Sequence, residues 1–322
     1  MNRRHVLRTA VAACLFAVGL GAFAAEPYPN KTVTVVIPFP PGGTLDFVGR
    51  MLAQKLTEQM GQSFIVDNRP GAGGTIGASA VAKARPDGYT LLFSPSTFVS
   101  TPMTMATPPY DAVKDFTPVA LVAKAPLAVA VRADLPADDV KALIAYAKAN
   151  PGKTTFAIGS SASAGHLSTE LLKRAAGIEY LVVPYKGSGP AYQDLLGGRI
   201  DAFIDPILGS AQHAKAGKLK VLAVTSKDRL PASPNVPTVG ETIPGFEFYS
   251  WYGLWGPAKM PKEIADRLNA EVNKALAGDM KAKLTEQGLL LTPGSIDDFA
   301  KFQQDDTVKV ARIIKEANIR AE

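Results

Sequence analysis

The 322-residue chain has one cysteine and three histidines, so several kinds of chemistry are scarce from the outset. The cysteine is Cys14, and no cysteine follows the first 25 residues. Disulfides, thiol nucleophiles and cysteine-ligated metals are therefore excluded from the rest of the chain. The sequence also lacks a Walker A loop, a G-x-S-x-G nucleophile elbow and an H-E-x-x-H zinc motif. We expect no cofactor and no metal ligand.

An excess of charge of one sign is also missing. Lysine and arginine total 35 against 29 acidic residues, a net charge of +6, and three of these positive charges lie within residues 3–8. A surplus so small and so dispersed is not typical of nucleic-acid-binding proteins. No apolar run after residue 25 approaches the ~18 residues needed to cross a bilayer. We therefore expect neither a nucleic-acid partner nor direct membrane insertion of that part of the chain.

The first 25 residues have the three parts of a secretory signal. A start with three arginines precedes an apolar run over residues 9–20, and Ala22-Phe23-Ala24 provides small residues at a cleavage site. We predict cleavage near Ala24 or Ala25 and a periplasmic location. The pair Arg3-Arg4 also resembles a twin-arginine signal, so the sequence leaves the export route open.

The remaining chain alternates short β-branched segments with helical patterns, which predicts an α/β fold with parallel-rich sheets flanked by helices. Residues 33–38 have the pattern of a buried strand, and apolar residues at helical spacing follow from Leu45. Residues 126–225 repeat this organisation, whereas the helices after Pro261 need the first unit as their partner. The predicted parts are lobe 1 from residues 26–125 and 226–322, lobe 2 from residues 126–225, and two crossovers near 124–130 and 222–228.

Two loops occupy equivalent places, each after a predicted strand and at the start of a predicted helix. They are Pro38-Phe-Pro-Pro-Gly-Gly-Thr44, here called loop 1, and Gly159-Ser-Ser-Ala-Ser-Ala-Gly165, here called loop 2. Exposed N–H groups at a helix N-terminus favour anions, and glycine lets the backbone approach a ligand closely. If the lobes face each other, the two loops would hold a small anion, most simply a carboxylate, from two sides. The alternative is that each loop only caps its helix.

Several side chains near these loops allow both a structural and a functional interpretation. Asp46 can interact with the dipole of its helix or orient a ligand. Asp205 can be a structural residue at the end of its strand or contact a ligand. His166 can cap its helix or pack in the core, and the alternative is that it acts as a base. Ser161, His166 and Asp205 could also form a Ser-His-Asp triad, so a secreted hydrolase is the alternative to a binding protein. The predicted ligand-contact residues are Phe39, Pro41, Gly42, Gly43, Thr44, Asp46, Ser94, Ser96, Ser160, Ser161, Ser163, His166 and Asp205.

Motifs spread over the chain resemble one family. They are Pro41-Gly-Gly-Thr-Leu-Asp46, Asp67-Asn-Arg-Pro-Gly-Ala-Gly-Gly74, Pro86-Asp-Gly-Tyr89, Val183-Pro-Tyr-Lys-Gly187 and Asp194-Leu-Leu-Gly-Gly198. Together with the secretory signal they resemble the Bug-type periplasmic solute receptors of tripartite tricarboxylate transporters.

The resemblance implies a two-lobed, type II-like periplasmic binding protein fold. It also implies that the protein is not an enzyme. It also implies a small carboxylate held between residues 39–46 and 159–166 by backbone N–H groups, hydroxyls and water, and delivery of that ligand to membrane permease subunits. A signalling membrane protein is the alternative partner. Loop 2 departs from similar receptors, because its Ser-Ala-Ser-Ala run stands where they often carry more glycine.

Overall fold

The computed structural model describes residues 28–320. The predicted signal segment, with its cleavage site near Ala24 or Ala25, lies outside the described residues. Within residues 28–320, no helix has both the length and the apolar character that a membrane span requires.

The described chain alternates strands and helices as the sequence predicts. The strands are β1 (Val33–Ile37), β2 (Phe64–Asn68), β3 (Thr90–Pro95), β4 (Phe116–Arg132), β5 (Thr155–Ile158), β6 (Leu181–Pro184), β7 (Ala202–Pro206), β8 (Leu219–Val224), β9 (Tyr249–Pro257) and β10 (Leu290–Leu291). The helices are α1 (Thr44–Met60), α2 (Thr75–Ala82), α3 (Thr97–Ser100), α4 (Val140–Ala149), α5 (Ala164–Ala176), α6 (Ser188–Leu196), α7 (Ile207–Lys215), α8 (Lys262–Ala277), α9 (Asp279–Glu286) and α10 (Ile296–Ala317).

The strands form one continuous sheet in the order β2-β1-β3-β9-β4-β7-β5-β6, with β8 and β10 also paired to β4. Strands β1, β2 and β3 pair in parallel, as do β5, β6 and β7. Strands β4 and β9 run antiparallel to all their neighbours. The parallel pairing within each unit agrees with the sequence prediction, and the antiparallel strands arise where the chain passes between the units.

Each unit has its own apolar core, built from alternate strand residues and one face of a helix. In the first, Val33, Val35 and Ile37 of β1 pack against Val48 and Leu52 of α1. The second core contains Leu127 and Val129 of β4, Phe156 of β5 and Leu167 of α5. Full burial of a side chain of this size stabilises the fold by ~1.5–3 kcal/mol. Two separate cores explain why the chain forms two lobes.

Two strands carry the chain from one lobe to the other. Strand β4 pairs with β9 as far as Pro126 and with β7 from Leu127, which agrees with the crossover predicted near 124–130. The position of the second crossover, predicted near 222–228, stays a prediction. The chain pairs with β4 again at Tyr249 of β9, opposite Pro126, and Phe246 and Phe248 just before β9 pack in the second core.

Helix α10 spans both lobes. Near its start, Phe299 packs against Trp251 and Trp255 in a cluster on the first lobe. Further along, Val310 and Ile313 belong to the second core. The ranges predicted for the lobes therefore stay a prediction, and the contacts of α10 attach the last part of the chain to lobe 2 as well as to lobe 1.

Candidate functional site

Loop 1 is held in shape by the carboxylate of Asp46, in the first turn of α1. Its Oδ2 accepts hydrogen bonds from the Gly42 N–H at 3.0 Å and from Arg50 Nε at 2.9 Å, and its Oδ1 accepts one from Asn68 at 3.0 Å. Burial opposes ionisation of this carboxyl, but the hydrogen bonds from Arg50, Asn68 and Gly42 outweigh it, so the pKa of Asp46 is lowered. Asn68 also donates to the carbonyl of Phe39 at 3.0 Å. These contacts are those of a residue that shapes the loop.

The backbone N–H groups at the start of α1 point to an anion site. Gly43 is the N-cap in extended conformation, and no side chain caps this end. Within residues 28–320, the N–H groups of Gly43, Thr44 and Leu45 have no hydrogen-bond acceptor. Gly42 and Gly43 are exposed, and no atom lies within 4 Å of a Cβ built on either, so a ligand can approach the backbone here. Such N–H groups, with the helix dipole behind them, favour a carboxylate.

Loop 2 leads into α5 in the same way. Ser163 is the N-cap, and its side chain accepts a hydrogen bond from the His166 N–H at 3.2 Å. Ala164 and Gly165 are buried, yet in the described part of the chain their N–H groups have no acceptor. Buried N–H groups are rarely left without a partner, so this helix start is a second candidate anion site. A Cβ on Gly165 would lie 2.3 Å from the carbonyl oxygen of Ile204, and only glycine fits there.

Packing and electrostatic interactions relate the two helix starts to each other. Gly165 of loop 2 packs on Ile204, directly before Asp205 at the end of β7. The Asp205 carboxyl acts on the pKa of Tyr252 in β9, and Tyr252 interacts with Thr44 of loop 1. Because Thr44 belongs to the first lobe and Asp205 to the second, we expect these residues to face the space between the lobes.

Asp205 is partly buried and forms no ion pair with a cation within residues 28–320. Its Oδ1 accepts a hydrogen bond from Ser188 at 3.0 Å. Burial raises the pKa of the Asp205 carboxyl to about 7, although the hydrogen bond from Ser188 acts in the opposite direction. The group can therefore be neutral or charged near neutral pH, and in the neutral form it can donate a hydrogen bond.

Hydroxyl groups at the end of β3 are also available. Ser94 is 1% exposed, and its Oγ has no hydrogen-bond partner within residues 28–320; the same holds for Thr97 Oγ1. The carbonyl of Ser96 accepts from the N–H groups of Val99 and Ser100, so Ser96 caps α3 with its backbone. Sequence reasoning selected Ser94 and Ser96 but missed Thr97, Ser188 and Tyr252. No local pattern distinguishes these three from ordinary core residues.

The three residues of the alternative hydrolase do not form a relay. Ser161 Oγ contacts the carbonyl of Arg320 at 3.4 Å, His166 Nδ1 accepts from the Ala162 N–H at 3.2 Å, and Asp205 accepts from Ser188. A triad requires the histidine to bridge serine and carboxylate, and here its Nδ1 is occupied by a backbone donor. Burial lowers the pKa of His166 to about 4, so the ring is neutral and structural. Residues 28–320 also contain no cluster of three side chains suited to a metal ion.

Apart from Asp205, described above, the predicted site residues differ in whether their polar groups are available. Gly43, Thr44 and Ser94 have backbone N–H or hydroxyl groups without a partner among residues 28–320, whereas the carbonyl of Ser160 accepts from the Ser163 N–H. Those whose polar groups are engaged in holding loops or capping helices are Gly42, Asp46, Ser96, Ser161, Ser163 and His166. Phe39 packs against the first core, and Pro41 is exposed. Direct ligand contact by any of them stays a prediction.

Two lobes joined by crossing strands are typical of periplasmic binding proteins, and solved structures confirm this class: the periplasmic binding protein BugD has 33% sequence identity and a TM-score of 0.84, covering 92% of this chain and 100% of that one. An R. palustris protein with adipate has 38% sequence identity and a TM-score of 0.87, covering 91% of this chain and 99% of that one. MatC from Rhodopseudomonas palustris with bound malate has 32% identity and a TM-score of 0.81, covering 89% and 100%.

The family follows from two further findings. The model of the tripartite tricarboxylate transporter family receptor matches residues 48–319. Protein BugT of Bordetella pertussis is 36% identical over 304 residues, which are 92% of each chain. The chain therefore belongs to the tripartite tricarboxylate transporter receptor family, a family of periplasmic receptors, and the resemblance seen in its motifs is confirmed.

Proposed function

We propose that this chain is an exported receptor that captures a small dicarboxylate between its lobes and delivers it to a membrane permease. The observation that carries the proposal is the pair of helix starts, α1 in the first lobe and α5 in the second, whose N–H groups have no acceptor within residues 28–320. One carboxylate would meet the N–H groups of Thr44 and its neighbours, and the other those of Ala164 and Gly165. Ser94 and Asp205 would then contact the ligand between them.

Neutral donors suit a receptor that must also release its ligand. A carboxylate bound by N–H groups and hydroxyls is stabilised by charge-assisted hydrogen bonds, yet no buried ion pair has to be broken when it leaves. Related proteins with adipate and with malate support a dicarboxylate as the ligand class. Closure of the lobes around the ligand would be limited by the ligand's differential affinity for the closed form.

Export and delivery complete the proposal. The signal segment would be removed near Ala24 or Ala25, and the mature receptor would act in the periplasm. Membership of the family supports this location. The closed receptor would then dock on permease subunits, as expected for a transporter receptor.

The experiment is a thermal-shift screen of the protein from Glu26 against C3–C8 dicarboxylates, citrate, acidic amino acids and aromatic acids. A ligand at 100 times its dissociation constant stabilises the folded state by roughly 2.7 kcal/mol. We expect a selective rise with one group of dicarboxylates. If no compound raises the midpoint and extraction with mass analysis finds no bound acid, the proposal is wrong, and turnover of a compound would indicate an enzyme instead.

Substitution by proline tests the donors themselves. Thr44 and Ala164 are the first residues of α1 and α5, a position where proline removes the N–H but is compatible with the helix. We expect T44P and A164P each to weaken dicarboxylate binding by about tenfold or more, since each removes a hydrogen bond to a charged group. The matched control is K262P, at the first residue of α8, which is exposed and outside both loops. Equal affinity in all three variants would contradict the proposal.

A further inference from the structure

A hydrogen bond connects lobe 1 directly to loop 2. Ser100, the last residue of the short helix α3, donates its hydroxyl to the carbonyl of Ala162 at 2.7 Å. Ser100 is 2% exposed and Ala162 is fully buried. The other acceptor near this hydroxyl, the carbonyl of Ser96, is at 3.4 Å, so the single proton of Ser100 goes to Ala162. A side chain of lobe 1 therefore contacts the backbone of loop 2, a candidate binding loop of lobe 2.

Ala162 has a backbone conformation that alanine rarely adopts. Its φ is 54°, in the left-handed region. It is the third residue of a turn that the Ser163 N–H closes by donating to the carbonyl of Ser160 at 3.3 Å. A positive φ at this position of a turn favours glycine, because a Cβ adds steric strain. The surrounding structure must therefore hold Ala162 in place.

Two side chains hold it, one from each lobe. The N–H of Ala162 donates to Nδ1 of His166, in the first turn of α5, and the carbonyl of Ala162 accepts from Ser100. Burial keeps His166 neutral, so that its Nδ1 can accept. With both polar groups of Ala162 engaged, the direction of the chain entering α5 is fixed.

The consequence concerns the donors of the ligand site. Ala164 and Gly165, whose N–H groups have no acceptor within the described residues, follow Ala162 by two and three positions. If the turn relaxed, the start of α5 would lose its orientation toward the cleft. We propose that Ser100 is a positioning residue of the ligand site: from lobe 1 it holds Ala162 in the left-handed conformation that presents the start of α5 to the ligand. This inference rests on the proposed function and names a residue outside both loops.

The first test compares S100A with T104V. Thr104 lies four residues further along, and its buried hydroxyl donates only locally, to the carbonyl of Thr101 at 2.8 Å. In the ligand-free protein, we expect S100A to increase hydrogen exchange at residues 162–165, whereas T104V leaves it unchanged. With adipate and malate as probes, we expect S100A to weaken binding by about tenfold, the loss in affinity expected when one buried hydrogen bond is removed. S100T, which keeps the hydroxyl, should restore both readouts.

A second substitution separates positioning from general packing. Glycine adopts a positive φ without strain, so A162G should make loop 2 less dependent on Ser100. In the A162G background, we expect S100A to change the affinity by less than about threefold, a coupling that a double-mutant cycle measures directly.

Three outcomes would overturn the inference. They are unchanged exchange and affinity in S100A, equal effects in T104V, and a full tenfold loss from S100A in the A162G background. If the wild-type protein binds no dicarboxylate, the proposed function fails, but the exchange comparison between S100A and T104V still decides whether Ser100 holds the loop.

Discussion

Asn68 donates its side-chain amide to the carboxylate of Asp46 at 3.0 Å and so joins the end of β2 to the first turn of α1. Arg50 connects the same two residues, because it donates to Asp46 at 2.9 Å and to Asn68 at 2.8 Å. The three side chains form a closed group beneath loop 1. Asp46 is 5% exposed, and its three hydrogen bonds all come from the protein. Its function is thus to shape the loop that offers the N–H groups.

Replacement of Asp46 should therefore weaken both the fold and the site. We expect D46N to reduce the free energy of unfolding at pH 7 by about 1–3 kcal/mol, because the amide keeps only one of the two acceptor oxygens and carries no charge, so at least one of the donors Gly42, Arg50 and Asn68 loses its acceptor. Since the pKa of Asp46 is lowered in the folded state, its stabilisation is present above the ordinary carboxyl pKa and is lost as the pH falls through the folded pKa. Urea unfolding at pH 7 and at pH 3 measures the difference in the free energy of unfolding between D46N and wild type, which we expect to be smaller at pH 3.

The matched control for D46N is D67N, one residue before Asn68. Asp67 pairs with Arg69 at 2.7 Å, but both side chains are substantially exposed. Exposed pairs of this kind contribute about 0–1 kcal/mol. If D67N were as destabilising as D46N, the effect would not come from the group beneath loop 1.

A second prediction concerns Asp205 and the pH dependence of stability. Burial raises its pKa to about 7, so between the unfolded carboxyl value and pH 7 the folded protein binds the proton more tightly than the unfolded chain does. At pH 5 the carboxyl is mostly neutral in the folded protein and its burial costs little, whereas at pH 8 it is ionised and its burial lowers the free energy of unfolding. We expect D205N to raise the melting temperature relative to wild type at pH 8 but not at pH 5. An equal difference at both pH values would contradict this assignment.

Ligand affinity should depend on the same group. A dicarboxylate beside Asp205 is repelled by the ionised carboxyl and accepts a hydrogen bond from the neutral one. We expect wild-type affinity for a dicarboxylate to fall as the pH rises from 6 to 8, and the affinity of D205N to change much less. Titration calorimetry in two buffers of different ionisation enthalpy would also detect proton uptake on binding. A pH-independent affinity in the wild type would place Asp205 away from the ligand.

Local pattern was sufficient to predict much of the fold and both loops. Residues 33–38 are rich in β-branched residues, as a buried strand should be, and the glycines at 42 and 43 precede a helix with apolar residues at regular spacing. The same logic identified the serine-rich start of α5. These features depend on neighbours within a few residues, and the sequence displays them directly.

Contacts across long sequence distances could not be predicted in this way. Tyr252 lies within electrostatic range of Asp205 because β7 and β9 both pair with β4, and nothing near Tyr252 in the sequence indicates that arrangement. The left-handed conformation of Ala162 was missed for a related reason. Alanine gives no signal of a positive φ, and the residues that hold it come from α5 and from the other lobe.

The last prediction concerns Thr225, which joins the two strands that cross between the lobes. Its fully buried hydroxyl accepts from the Leu127 N–H at 2.9 Å and donates to the Phe248 carbonyl at 2.6 Å. Valine has the same shape without the hydroxyl, so T225V would leave two buried backbone groups unpaired. We expect a loss of about 2 kcal/mol in the free energy of unfolding. We also expect a changed small-angle scattering profile without ligand, because the crossovers set the angle between the lobes.

T225S should retain wild-type behaviour, since it keeps the hydroxyl. The neighbouring control is S226A, because Ser226 is also buried but its hydroxyl bonds locally to the carbonyl of Asp228 at 2.8 Å. We expect S226A to lower stability without altering the scattering profile. If T225V and S226A changed the profile equally, or if T225V changed only stability, Thr225 would be an ordinary core residue, and the angle between the lobes would be set by helix α10, which packs on both cores.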